Sequence, residues 1–342
     1  MPFIEVPSRQ LSVFYVLNPT QPMEFARALE TEDAALKDHN VPSVPYDPSK
    51  PTLVLLHGGC RSIAALNAQL LDTRLRARVN ILTFSRKYHG RTRFHGDPNQ
   101  PYSIDDCAED ALQTVDLLCA LIGIERYSVF AEGIAGCHVG TTLAIKRPER
   151  VVSLLLSSPG HMTMPDTAAH AGLRDLLPDI CANKDGNGDG SGTIPPDVLC
   201  ENSAYAFGDV KGLPGVRELH NEAFQRRYGT GHTSSLELRH LFMAEAQRRA
   251  IPADDLAKVT CPTLILHGTR DTMISPLSAA TEWQHALVNV KGGADLKLVA
   301  DGPHLLSFVE PNVVNRMILG FLSQTVCEDS LHDHIRRTSV VR

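Results

Sequence analysis

The chain has 342 residues, with 33 Lys or Arg against 39 Asp or Glu, a formal net charge of −6, 43% hydrophobic and 21% charged residues. These proportions belong to a soluble globular protein, long enough for one large α/β domain with an insertion or for two domains. Mild acidity without a dense Lys/Arg cluster argues against a nucleic-acid binder, and no apolar run reaches the roughly 18–20 residues that cross a bilayer.

The opening segment MPFIEVPSRQ lacks the basic-then-apolar layout of a secretion signal. Eight cysteines without CxxC spacing read as reduced, mostly buried thiols. The expected protein is therefore cytoplasmic, soluble and enzyme-like. Residues 20–50 carry four prolines and an acidic stretch, and are expected to form a peripheral excursion.

The first strand-like run is 51–57, PTLVLLH, continuously apolar as a parallel strand covered on both faces must be. Residues 79–84 repeat the pattern. Ser103 then offers an N-cap with Asp106 three residues on. Ile104, Ala108, Ala111, Leu112, Val115, Leu118, Cys119 and Ile122 follow at steps of three and four, one apolar stripe of a long helix. A strand at 127–131 runs into a helix ending near Lys146, and 151–156 is the next strand.

Residues 161–250 break this rhythm with many Gly and Pro and a helical stretch near 234–249, as expected of an insertion folded over one end of the sheet. Strands at 263–267 and 296–299 resume it. A helix entered through Pro311 carries Val313, Val314, Met317, Ile318, Phe321 and Leu322 on one face. The sequence thus predicts an α/β fold with a mostly parallel sheet flanked by helices. The expected division is a core of 1–160 and 251–327, a mainly helical cap at 161–250, and a flexible polar tail at 328–342.

Candidate functional residues sit where these strands end. His57-Gly58-Gly59-Cys60 follows the first run, Ala131-Glu132-Gly133-Ile134-Ala135-Gly136 the third, His267-Gly268-Thr269-Arg270-Asp271 a later one, and Asp301-Gly302-Pro303-His304 the last. In an open parallel sheet the strand carboxyl ends share one rim, where ligands bind. An Asp and a later His on that rim are able to pair, the Asp fixing the imidazole tautomer.

In this order the motifs resemble the alpha/beta-hydrolase family over roughly 51–160 and 251–325. The resemblance implies that His57-Gly58-Gly59 is the oxyanion loop, Asp271 the acid, His304 the base and 161–250 the cap. It implies an elbow of the form small-x-Ser-x-small at 131–135, and here the sequence departs from the family, because Gly133 stands at the nucleophile position. Ala131, Ala135 and Gly136 supply the small residues a close strand–helix turn needs. Glu132 and Cys137 are poor substitutes, since one diverges from the elbow and the other lies inside the helix. The amides of Gly59 and Ile134 remain as an expected oxyanion hole.

Three functions follow from the resemblance. The first is a hydrolase of an ester- or lactone-like small molecule whose covalent step is missing. The second is an enzyme in which His304 and Asp271 act as a general base without a covalent step, in hydrolysis, carbon–carbon cleavage or cofactor-free oxygenation. The third is a non-catalytic binder. No cofactor or metal is expected, and the partner is a small molecule; the sequence is silent on oligomeric state. His57, His89 and His138 are expected to be structural. The stretch 185–193 has oxygen ligands at alternate positions, but Pro196 stands where a calcium loop needs its bidentate Glu, so a glycine-rich turn is expected there. Tyr205, Phe207, Phe224, Tyr228 and Phe242 fit either a pocket lining or the insertion's own core.

Overall fold

The structure, a computed structural model, describes residues 3–23, 41–59, 61–163, 228, 232–272 and 274–339, with side chains for all of these except 232–235 and 326–339. Among them, nine strands form one sheet. Its order is β1 (Phe3–Val6), β2 (Leu11–Leu17), β4 (Asn80–Phe84), β3 (Thr52–Leu56), β6 (Tyr127–Glu132), β7 (Val151–Ser157), β8 (Thr263–Gly268) and β9 (Asp295–Val299), with β5 (Arg93–Phe94) paired to β2. Every pairing from β4 to β9 is parallel. β2 runs antiparallel to β1, β4 and β5.

The six strand-like runs are the six parallel strands; β9 is a largely exposed edge strand, and for the other five the reason is visible in β3. All of its residues are buried. Val54 and Leu56 face one core, and Leu53 and Leu55 face the other. Such a strand has no solvent side on which to place a polar residue. The helices between strands are α1 (Asn67–Leu70), α2 (Thr73–Arg78), α3 (Ile104–Ile122) and α4 (Gly133–Lys146). The stripe predicted for α3 joins Val54 and Leu56 in the first core, with Ile122 at its edge. Ser103 caps it as expected: its Oγ accepts from the Asp106 amide at 3.1 Å, and its own amide donates to Asp106 Oδ2 at 3.1 Å.

After the sheet's midpoint come α5 (His232–Ala246), α6 (Ala253–Leu256), α7 (Leu277–Ala286), α8 (Leu306–Val309) and α9 (Pro311–Ser339). From α9, Val314, Ile318 and Leu322 close the second core against Leu53 and Leu55. This helix is described through Ser339, so no change of secondary structure marks the tail boundary expected at 328.

Three strands are additions to the sequence reading. The run Leu11–Leu17 is rich in β-branched and aromatic residues, but only its pairing with β4 makes it part of the sheet. Of the insertion, α5 corresponds to the helical stretch expected near 234–249. Tyr228 and Phe242 join the first core rather than a core of the insertion's own. Tyr205, Phe207, Phe224 and the stretch 185–193 lie outside the described residues. Among the described residues Cys107, Cys119, Cys137 and Cys261 are free thiols, the first three buried. No described helix is long and apolar enough to cross a membrane.

Candidate active site

The registers that pair Leu56 with Ala131, Ser157 with Leu266 and Gly268 with Val299 bring the carboxyl ends of these strands level. The loops after β3, β6, β8 and β9 therefore meet on one rim, as the sequence order predicts. The tightest junction is the third. β6 ends at Glu132 and α4 begins at Gly133 with no intervening residue. Gly133 has φ +70°, a left-handed backbone that an L side chain adopts only under strain. Gly136 lets α4 lie against β3, for a Cβ there would stand 3.0 Å from the His57 carbonyl oxygen.

Around this elbow the predicted residues converge. A Cβ built on Gly133 would lie 3.7 Å from His304 Nε2 and 3.3 Å from Gly58 Cα. On the far side of the imidazole, Nδ1 is 2.7 Å from Asp271 Oδ2. The carboxylate oxygen accepts from Nδ1–H, which leaves the lone pair of Nε2 directed toward Gly133. Asp271 is fixed in turn by the Ser275 amide, which donates to Oδ1 at 2.9 Å. The two loops that carry the pair are tied together. The Arg270 amide donates to the Gly302 carbonyl at 2.9 Å, and the Asp301 amide to Thr269 Oγ1 at 2.9 Å. Both Asp271 and His304 are buried.

The loop after β3 is built by His57. Its Nε2 accepts from the Arg86 amide at 3.3 Å, so the proton resides on Nδ1 and is donated to the Gly58 carbonyl at 2.8 Å. Burial, then the nearby Arg86 charge, push His57 down to about 3, so it is neutral and structural. His89 donates from Nδ1 to the Lys87 carbonyl, 2.8 Å away, and packs on the His57 ring. His138 is a buried helical residue that burial pushes down to about 4. Each is structural, as expected. Gly58 abuts the elbow, since a Cβ there would meet the Glu132 carbonyl oxygen at 3.3 Å. Ile134 turns its side chain toward Gly160, after β7.

The two substitutes considered for the nucleophile are occupied elsewhere. Cys137 is fully buried, its Sγ directed at the carbonyls of Ala131 and Ser157, 3.4 and 3.5 Å away, and burial pushes its thiol up. The carboxyl of Glu132 is held by the loop after β9. Its Oε1 accepts from the Ser307 amide at 3.1 Å and from the Ser307 hydroxyl, and burial raises its pKa. Ser307 was not a sequence candidate, although its place three residues beyond His304 puts it on the histidine loop. Arg61 and Glu245 were also not singled out. Arg61 is buried beside Gly58. Glu245, from the last turn of α5, packs on Gly59. Among the described residues no cluster of His, Cys, Asp and Glu has the makings of a metal site.

The chain is similar to known proteins in sequence and fold. A family model described as "Alpha/beta hydrolase family" matches residues 53–317. A protein of Rhizobium rhizogenes named as a carbamate hydrolase, RutD, is 26% identical over 284 residues, covering 80% of this chain and 94% of its own. Among solved structures, a hydrolase from Pseudomonas aeruginosa superposes with TM-score 0.65 at 18% identity, covering 94% of this chain and 97% of its own. The enol-lactonase from Burkholderia xenovorans does so with TM-score 0.65 at 14% identity, covering 94% and 100%.

Proposed function

The chain belongs to the alpha/beta hydrolase family, and on that premise we propose that it holds an acyl-transfer site for an ester- or lactone-like small molecule from which the attacking hydroxyl is absent. The observation that carries the reading is the direction of the Gly133 Cα–Cβ vector. A side chain there would point at His304 Nε2 with Asp271 behind it. With a hydroxyl at 133, His304 would take its proton as it attacks the carbonyl, and Asp271 would stabilise the imidazolium. The amides of Gly59 and Ile134 would hold the oxyanion. With Gly133 in place no acyl-enzyme forms. The names of relatives, a carbamate hydrolase and an enol-lactonase, agree with carbonyl substrates of this kind.

One observation favours a second reading. His304 Nε2 makes no hydrogen bond among the described residues, and a neutral imidazole oriented by a carboxylate is competent as a general base. In that reading His304 activates water or an acidic substrate proton directly, and the elbow glycine keeps room for it.

Labelling with a fluorophosphonate probe separates the two. Under the first reading Gly133→Ser labels and the unaltered chain does not. Under the second the unaltered chain turns over a carbonyl substrate, and His304→Ala abolishes it. If Gly133→Ser neither labels nor cleaves an aryl ester, the first reading falls.

A further inference from the structure

Glu245 is a carboxyl group to which the site described above assigns no task. It reaches across from α5 to the loop after β3, where a Cβ placed on Gly59 would overlap its Oε1 and stand 2.8 Å from its Cδ. The carboxyl therefore lies in contact with the Gly59 backbone, in the loop expected to supply one oxyanion amide. Among the described residues it accepts no hydrogen bond. The charged and titratable groups facing it are Arg248 on its own helix, Arg86 after β4, His304 after β9 and Arg61 after β3.

An ion pair would be the ordinary explanation of a carboxylate in this company, but two of the three guanidinium groups are engaged elsewhere. Arg248 donates to the backbone carbonyls of His161, Glu245 and Thr163. Arg86 donates to Cys107 Sγ and to the His57 carbonyl. Burial outweighs all four positive or protonatable neighbours and holds the Glu245 pKa above the usual carboxylate range. The two forms of this group act oppositely. A carboxylate beside a developing oxyanion would repel it, whereas a carboxylic acid would donate a hydrogen bond to it. A carboxyl group kept in its acid form is a known solution to that need.

We propose that Glu245, in its acid form, is a side-chain hydrogen-bond donor to the carbonyl oxygen of the bound ester or lactone, completing an oxyanion hole begun by the amides of Gly59 and Ile134. The proposal rests on the hydrolase reading for its substrate class. The carboxyl keeps its proton throughout, so no bond is made or broken at Glu245. Because only the acid form donates, kcat falls as pH rises through the Glu245 pKa.

The test has two arms. In the Gly133→Ser chain, kcat for an aryl ester is measured against pH, alone and with Glu245→Gln or Glu245→Ala. Loss of one oxyanion donor is worth about 100-fold in kcat, so Glu245→Ala is expected to lose on that order with little change in KM. Glu245→Gln, which keeps a donor that does not titrate, is expected to lose less and to flatten the alkaline fall. Equal kcat and equal pH profiles in all three overturn the proposal. In the second arm, the unaltered chain carrying carboxyl-13C glutamate is titrated by NMR, with Glu245→Gln as the assignment. A Glu245 resonance that titrates in the ordinary carboxylate range overturns the proposal whichever way Gly133→Ser behaves. If Gly133→Ser is inert, the hydrolase reading falls by itself, and the titration still decides whether an acid stands at Gly59.

Discussion

At φ +70° an L residue at position 133 is strained, so Gly133→Ser is expected to cost about 1–3 kcal/mol of stability. The approach of the new Cβ to Gly58 Cα at 3.3 Å adds to that, because the loop after β3 must yield by a few tenths of an ångström. Against this loss stands a gain in chemistry. The new Cβ lies 3.7 Å from His304 Nε2, and a hydroxyl oxygen rotated toward the ring comes into hydrogen-bond range. Removing the serine of a triad costs about 10⁶-fold in kcat, so restoring it is expected to raise ester turnover by several orders of magnitude. The assay pairs fluorophosphonate labelling and aryl-ester turnover with urea unfolding, using Gly133→Ala as the control. The alanine chain should show the same loss of stability and no labelling. If serine and alanine behave alike in both measurements, the elbow does not present its side chain to His304 and the geometric reasoning is refuted.

Other consequences are open to measurement. In the Gly133→Ser chain, Asp271→Asn removes the acceptor that fixes the His304 tautomer, and kcat should fall about 10⁴-fold while the fold persists; a loss under tenfold would separate the pair from catalysis. His57 has a folded pKa of about 3 against 6.5 when unfolded, so the folded chain binds fewer protons between those values. Its stability contribution is complete above pH 6.5 and lost as pH falls toward 3, at about 1.4 kcal/mol per pH unit. Urea unfolding across that window should show a shallower pH slope in His57→Gln, with the slope due to His138 retained; an unchanged slope would mean that His57 is not held neutral. Cys137 should resist iodoacetamide in the native chain and react after unfolding, read by peptide mass mapping, because its thiol is fully buried and its pKa is raised. Modification of the native chain would contradict that burial.

Local chemistry made much of this legible. A strand buried on both faces is mostly apolar, so β3, β4, β6, β7 and β8 are marked by their own residues. A helix resting on a sheet repeats its apolar residues every three or four positions, and the Ser103–Asp106 cap is a contact within one turn. The hairpin β1–β2 was less legible because β1 is short and lies at the sheet edge, and only antiparallel pairing gives β2 its place beside β4.

Asp271 and His304 were singled out by the order of the strand-end loops together with the resemblance to the alpha/beta-hydrolase family, because each lies within a short motif on its own loop. Tertiary structure alone decided how these loops face one another: that the Gly133 backbone aims at His304 Nε2, that Glu132 turns to Ser307, and that Glu245 and Arg61 arrive beside Gly58 and Gly59. The physical reason is one of range. Periodicity and capping are set by neighbours within a few residues, whereas the approach of α5 to the loop after β3 joins positions almost two hundred residues apart, and no local pattern in either segment encodes the distance between them.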